Sequence, residues 1–218
     1  MSFEFNVSGK GGSNIPALKS DVYAAVLVRL VDLGTHHDTF QNKPRTAKKV
    51  VLSWEIIGET IEMEIDGKKT VLPRVLSKTY TASVHEKATL RKELESWRGQ
   101  PFTKEEADKF NIGVLLGKSC QLNVAINEGG KNTIKAIIPA GKDPVTQKRM
   151  AYTPKQPLTG YIIGKGPIPS DLPKWIVDEI YASDEGKKLP PRTAETQAAA
   201  ESGPTEEVKE VRTEDIPF

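Results

Sequence analysis

Apolar runs of strand length constrain the fold of this 218-residue chain most strongly. Residues 22–33, "VYAAVLVRLVDL", and residues 48–57, "KKVVLSWEII", are rich in β-branched side chains, which favours strands. The polar stretch between them, residues 34–47, predicts a connection. A third run, residues 74–85, alternates from Leu76 onward and predicts a third strand.

A helix is predicted after the third strand. Ser83 and Glu86 have the spacing of a capping box, in which each side chain satisfies an amide of the first turn. Thr103 and Glu106 repeat that spacing and predict a second, shorter helix. The first helix would bury an apolar side formed by Leu90, Leu94 and Trp97.

Two further strands follow the helices, at residues 120–127 and 132–139, and the "EGGK" link between them indicates a hairpin. Three strands, a helix and two strands are the order of the OB-fold, a partly open barrel that binds oligonucleotides or oligosaccharides. The sequence therefore predicts a mainly β chain with a five-stranded OB-fold barrel and a helix between strands 3 and 4. A generic α+β sandwich would have the same order, and this alternative stays open.

Composition divides the chain into four parts. Residues 1–20 predict a flexible Gly-rich arm, and residues 21–140 the OB-fold domain. Residues 141–182 predict a Pro/Gly-rich extension, wrapped on the domain or projecting from it. It ends in a helix from Ser170 on which Trp175, Ile176 and Ile180 share a side. Residues 183–218 predict a disordered acidic tail.

Charge differs between the body and this tail. Residues 1–182 carry 26 Lys and Arg against 20 Asp and Glu, whereas residues 183–218 carry 5 against 9. A basic body with an acidic tail indicates two parts with separate roles.

Several functional classes find no support in the sequence. No run reaches the roughly 18 apolar residues of a membrane span, and the N-terminus lacks the layout of a signal peptide, so a cytoplasmic protein is expected. The single cysteine, Cys120, is predicted to be a buried strand thiol.

Two motifs resemble known binding sites, one for phosphate and one for metal, but each lacks part of the pattern. "LLGKS", residues 115–119, ends like a phosphate-binding P-loop, but Ile112 stands where the motif needs glycine, and a helix precedes it while a strand follows. "THHD", residues 35–38, has no third metal-ligating cluster to join and is interpreted as a solvated loop. No nucleophile or carboxylate pair has a catalytic setting either, so we expect no enzyme activity, cofactor or metal.

Basic and aromatic residues on predicted strands 2 and 3 and near them favour nucleic-acid binding. Single strands are held by a cationic groove and by aromatic faces, the latter contributing roughly 1–3 kcal/mol per base. Trp54 shares a side with Val50 and Leu52, so the barrel core is an equal alternative for its ring. The predicted DNA-binding residues are Arg45, Lys48, Lys49, Trp54, Arg74, Lys78, Tyr80 and Arg98.

The C-terminal sequence "TEDIPF" resembles the acidic tip of bacterial single-stranded DNA-binding proteins, with Glu214 replacing an aspartate. Residues 20–140, through "SWE", "WRG" and "LLGK" in that order, are similar to single-stranded DNA-binding proteins of tailed bacteriophages. The resemblance implies a domain that coats single strands in DNA replication, recombination and repair. It also implies a tip that recruits an exonuclease, helicase or polymerase through Asp215, Ile216, Pro217 and Phe218.

The expectation is thus a non-enzymatic, sequence-independent single-stranded DNA-binding protein, phage-encoded and acting in the host cytoplasm. Two alternatives stay open: a single-strand annealing protein of phage recombination, and an OB-fold adaptor that binds no DNA. The Gly-rich arm or the helix that carries Trp175 could make a homodimer.

Overall fold

The computed structural model describes residues 15–40, 42–65 and 68–190, and this part of the chain is mainly β, as predicted. Its strands are β1 (Asp21–Phe40), β2 (Lys43–Ile65), β3 (Lys68–Thr81), β4 (Ser119–Ile126), β5 (Asn132–Pro139) and β6 (Thr159–Tyr161). Its α-helices are α1 (Thr89–Arg98), α2 (Lys104–Lys109) and α3 (Lys174–Ala182). None of the helices in these ranges is long and apolar enough to cross a membrane.

The strands form one sheet in the order β3-β2-β1-β4-β5, with antiparallel neighbours. The short β6 pairs in parallel with β1. Side chains also join the two outer strands β3 and β5. Lys78 Nζ donates to the carbonyl of Ile134 at 3.1 Å, and Arg74 Nη2 donates to Asn132 Oδ1 at 3.0 Å.

The predicted connection at residues 34–47 is wrong, because β1 and β2 continue through it as a paired ribbon. The ladder runs from Thr35 opposite Lys48 to Phe40 opposite Lys43. Gly34, at a φ of 78°, lies at an irregularity of the ladder and adopts a conformation that glycine reaches without steric cost. Backbone hydrogen bonds hold such a ribbon together without an alternating apolar pattern.

Helix α1 begins later than its predicted cap. Ala88 is the capping residue and makes no side-chain bond, so the predicted Ser83 and Glu86 box is wrong. Ser83 Oγ instead accepts from the amide of His85 at 3.2 Å in the preceding turn. The box predicted at Thr103 and Glu106 is confirmed at α2. The predicted apolar side of α1 is also confirmed, with Leu90, Leu94 and Trp97 all buried.

An apolar core lies against each face of the sheet. On one face, α1 and α2 cover a core that contains Trp54, Leu94, Trp97 and Cys120, the last as the predicted buried strand thiol. On the other face, the C-terminal extension covers β1 and β2 with a second core. This second core contains Val31, Leu33, Val51, Tyr161, Leu172, Ile176, Val177 and Ile180.

Helix α3 differs from its prediction in two respects. It begins after Pro173, with no side-chain cap, so Ser170 does not cap it. Trp175 is 44% exposed while Ile176 and Ile180 are buried, so the three residues do not share a side. The apolar side of α3 is completed by Val177, which lies between the predicted Ile176 and Ile180 in sequence.

Residues 183–190, which were predicted to belong to the disordered tail, pack on the sheet. Ser183 is fully buried, and its Oγ accepts from the amide of Gly186 at 2.9 Å. The Glu185 carboxylate accepts from the amide and from the hydroxyl of Thr35, both at 2.7 Å. These bonds lower the pKa of Glu185 and fasten the extension to the ribbon. The remainder of the predicted tail, residues 191–218, lies outside the described residues.

Candidate nucleic-acid interface

Trp54 cannot stack on a base in this structure. It has no exposed surface, and its ring centroid lies 6.3 Å from that of Trp97. Side chains alternate between the two sides of a strand, and Trp54 lies on the same side as Val50 and Leu52. The core alternative is therefore the right one for this ring.

Tyr80 and Lys78 point toward α1 instead of outward. The Tyr80 hydroxyl donates to Glu93 Oε2 at 2.5 Å, and Lys78 Nζ lies 2.5 Å from Glu93 Oε1. Burial raises the pKa of the Tyr80 hydroxyl, and the bond to Glu93 raises it further. Since only 4% of Tyr80 is exposed, the prediction that its ring takes a base is wrong. Together these contacts fasten α1 to β3.

Arg74 and Arg98 are also enclosed. Arg74 is 7% exposed and bonds to Asn132 across the sheet. Arg98 was predicted to reach phosphate, but its side chain is 4% exposed and donates two hydrogen bonds to Glu106, one of 2.9 Å. These bonds lower the pKa of Glu106 to about 2, so the pair remains ionised near neutral pH. Arg98 therefore links the end of α1 to the Glu106 side chain of α2.

The remaining predicted residues lie on the ribbon of β1 and β2. Lys48 pairs with Asp32 at 3.0 Å, and Lys49 pairs with Asp38 at 3.3 Å. Arg45 Nη2 donates to Thr81 Oγ1 at 2.5 Å, so it reaches from the ribbon to the end of β3. Each of the two lysines therefore pairs with a carboxylate of β1.

A concave surface lies where Arg45 meets the end of β3 and the start of α1, and we call it the Arg45 groove. Its volume is about 640 Å³. Three of the eight predicted DNA-binding residues, Arg45, Lys78 and Tyr80, line it. The other lining residues are Thr79, Thr81, Ser83, His85, Lys87, Ala88, Thr89 and Leu90.

The groove is suited to a phosphate backbone. Its described lining holds the cations of Arg45, Lys78 and Lys87 and no carboxylate, although Glu93 behind it neutralises Lys78. Its threonine and serine hydroxyls can donate to phosphate or sugar oxygens. By contrast, in the larger cavity of about 740 Å³ the carboxylates of Glu59 and Glu62 offset the two lining cations, Lys19 and Arg74.

Lys87 and His85 are groove residues that the sequence reasoning missed. Both lie in the turn between β3 and α1, and both are exposed. Within the described residues no side chain bonds the Lys87 ammonium. The available signal was a basic residue in the first turn of the helix predicted after strand 3. The predicted partner-binding tip, Asp215, Ile216, Pro217 and Phe218, lies outside the described residues.

The structure agrees with the prediction for the P-loop-like motif and differs from it for the histidine motif. "LLGKS" follows a 3-10 turn, Ile112–Leu115, and runs into β4, as the sequence predicted. "THHD" is not a solvated loop but part of β1, where His37 Nε2 lies 2.6 Å from Asp184 Oδ2 and His36 is buried. Across the described ranges, no group of three or more His, Cys, Asp or Glu side chains could hold a metal ion.

Comparison of this chain with protein-family models, with curated proteins and with solved structures finds no match.

Proposed function

We propose that this protein binds single-stranded DNA without sequence preference, and that the Arg45 groove holds the strand. The observation that carries the proposal is a concave surface lined by Arg45, by Lys87 and by Lys78 with its partner Glu93, with no acidic lining residue among those described. Lysine and arginine contacts to phosphates supply most of sequence-independent binding. The role in protecting strands during phage replication, recombination and repair is part of the same proposal, and rests on the resemblance of residues 20–140 and the C-terminal tip.

An OB-fold is the architecture that we infer for residues 21–140. In support, α1 lies between β3 and β4, and the outer strands β3 and β5 are joined by the bonds of Lys78 and Arg74. Such a barrel presents loops and strand ends around one binding surface. The Arg45 groove lies at such a place, between the ribbon of β1 and β2 and the turn before α1.

A single strand fits the groove better than a duplex. A flexible strand can bend into a concave surface and bring successive phosphates to Arg45 and Lys87. Duplex DNA holds its phosphates on a stiff rod, with a persistence length of about 50 nm, and cannot enter without deformation.

The test is a competition between DNA forms. We expect unlabelled single-stranded oligonucleotide to displace a labelled poly-dT probe at concentrations at least tenfold lower than duplex of equal length. Equal competition by the duplex would contradict the proposal and leave a general polyanion binder. Absence of any retained strand at low salt would instead favour the adaptor alternative, and strand annealing of complementary oligonucleotides would favour the annealing alternative.

The C-terminal tip is proposed to recruit a DNA-processing enzyme, an exonuclease, helicase or polymerase. Its sequence combines an aromatic anchor, Phe218, with the acids Glu214 and Asp215. An aromatic anchor supplies affinity, while acidic residues steer association with a basic partner surface.

Deleting Glu206–Phe218 is expected to tighten DNA binding and abolish partner capture, because an acidic segment competes with phosphates for the basic body. The Phe218→Ser variant is the matched control: it keeps the acids, so it should lose partner capture and keep the DNA affinity of the full chain. The measurements are oligonucleotide titration and co-precipitation with the host enzymes. Partner capture that survives both changes would reject this role for the tip.

A further inference from the structure

A second basic concavity lies at the opposite end of α1 from the Arg45 groove, and we call it the Lys118 cleft. Its volume is about 320 Å³. Its walls come from the end of α1, from residues 117–119, from the end of β5 and from residues 149–151. Three of its lining side chains are the cations Arg98, Lys118 and Arg149, and none of its described lining residues is acidic.

A hairpin at residues 141–150 positions Arg149. The backbones of Lys142 and Arg149 form an antiparallel β-bridge across this hairpin. The amide of Asp143 also donates to the carbonyl of Lys148 at 2.8 Å. Arg149 Nη1 donates to the carbonyl of Ala140 at 2.9 Å, which leaves the other guanidinium donors for the cleft. The nearby Asp143 carboxylate is used inside the turn, where it accepts from the amides of Val145 and Thr146.

Lys118 is positioned by the "LLGKS" segment, which the proposed function leaves without a role. Gly117, at a φ of 80°, makes the turn, and the amide of Lys118 donates to the carbonyl of Leu115 at 2.9 Å. The backbone is thus fixed while the side chain is exposed. In the described part of the chain, no side chain bonds the Lys118 ammonium.

The electrostatics of the cleft favour an anion. The C-terminal end of α1 contributes partial negative charge at one wall of the cleft. Arg98 and Glu106 pair with each other, so together they add no net charge to the cleft. Lys118 and Arg149 therefore add their charge to a surface with no uncompensated acid among its described lining residues.

We propose that the Lys118 cleft is a second phosphate-binding site, which takes a phosphodiester of the strand held in the Arg45 groove. The assignment of the strand rests on the proposed function, whereas the assignment of phosphate rests on the cleft alone. Helix α1 has ten residues, so the two sites lie about 15 Å apart along it. Lys92 is exposed on α1 between them and would face the connecting nucleotides.

The phosphate site is tested first with tripolyphosphate as the probe and the full chain as the protein. The Trp97 indole Nε1–H donates to the carbonyl of Ser119 at 3.1 Å, so its NMR signal reports on the wall of the cleft. We expect a saturable shift of that signal in the wild type. The shift should be lost in the double variant Lys118→Gln, Arg149→Gln. The control Lys165→Gln, Lys188→Gln, with the same change of charge at two exposed positions outside the cleft lining, should keep it. An unmoved wild-type signal, or an equal shift in the cleft variant, would overturn the site.

The path of the strand is tested with a length series of dT oligonucleotides. The cleft variant should match the wild type on the shortest members and lose affinity only on those long enough to reach both sites. On the long members, the slope of log K against log salt should fall in magnitude by about 1.4 if two phosphate contacts are lost, at about 0.7 each. Equal slopes at every length would overturn the shared path. If tripolyphosphate binds the cleft but no oligonucleotide binds the wild type, the site is supported for free phosphates while the proposed function fails.

Discussion

Replacing Trp54 by alanine is expected to lower the free energy of unfolding by about 3–5 kcal/mol. The ring has no exposed surface and packs against Trp97 between the sheet and α1, so its removal leaves a cavity that the surrounding side chains cannot fill. Urea unfolding followed by circular dichroism measures this loss. The control is Trp175→Ala, where 44% of the residue is exposed, and a change within about 0.5 kcal/mol is expected.

A milder variant separates the core role of Trp54 from a role in DNA binding. Trp54→Phe keeps an aromatic ring in the core and removes an indole nitrogen that has no hydrogen-bond partner among the described residues. We expect this variant to bind poly-dT with wild-type affinity. A tenfold loss of affinity in a stable Trp54→Phe protein would show that the ring reaches a base.

Neutralising Arg45 and Lys87 together is expected to weaken binding of single-stranded DNA by roughly 10–100-fold near physiological salt. Each residue supplies a cation to the groove, and a hydrogen bond to a charged group contributes about 1.5–3 kcal/mol before compensation by neighbours. Fluorescence anisotropy with a labelled poly-dT oligonucleotide measures the loss for Arg45→Gln, Lys87→Gln. The loss should be uniform across base compositions, because phosphate contacts carry no sequence information.

The matched control for this pair is Lys165→Gln, Lys188→Gln, which makes the same change of net charge on the C-terminal extension. Both lysines are exposed and neither lines the Arg45 groove. If the control loses as much affinity as the groove variant, net charge rather than the groove explains binding. If neither loses affinity, the groove is the wrong site.

The secondary structure was predictable where local chemistry decides it. The capping box at Thr103 and Glu106 formed as predicted because α2 begins directly after Thr103. The box at Ser83 and Glu86 failed because the chain ends β3 at Thr81 and turns before it starts α1. The ribbon at residues 34–47 was missed because neither of its faces is apolar enough to produce a period of two.

The candidate site was predictable only in part, since strand alternation gives the relative side of two residues but not which side is buried. Lys78 and Tyr80 do share a side, as predicted, but that side faces α1, where Glu93 satisfies both polar groups. A lysine and a tyrosine can lie inward only because a helical carboxylate meets them, and this partner is distant in sequence. Arg45 does line the groove, because the ribbon places it beside Thr81 at the end of β3.

These corrections also change the expected mechanism of binding. With Trp54 and Tyr80 enclosed, no exposed aromatic residue lines the Arg45 groove among the residues that the structure describes. In the proposed binding, stacking then contributes less than the sequence suggested, and we expect phosphate contacts to be the main source of affinity. Binding that depends on phosphate contacts weakens steeply as salt rises, because counterions are released on association.

The most direct test of the account is therefore the salt dependence of poly-dT binding, compared between the wild type and the Arg45→Gln, Lys87→Gln variant. For the wild type we expect log K to fall linearly with log salt, with a slope of about −0.7 for each phosphate neutralised. The variant should show a slope smaller in magnitude by about 1.4, since two cations are lost. Wild-type binding that is insensitive to salt, or a variant with the wild-type slope, would contradict the claim that the Arg45 groove holds a single strand by its phosphates.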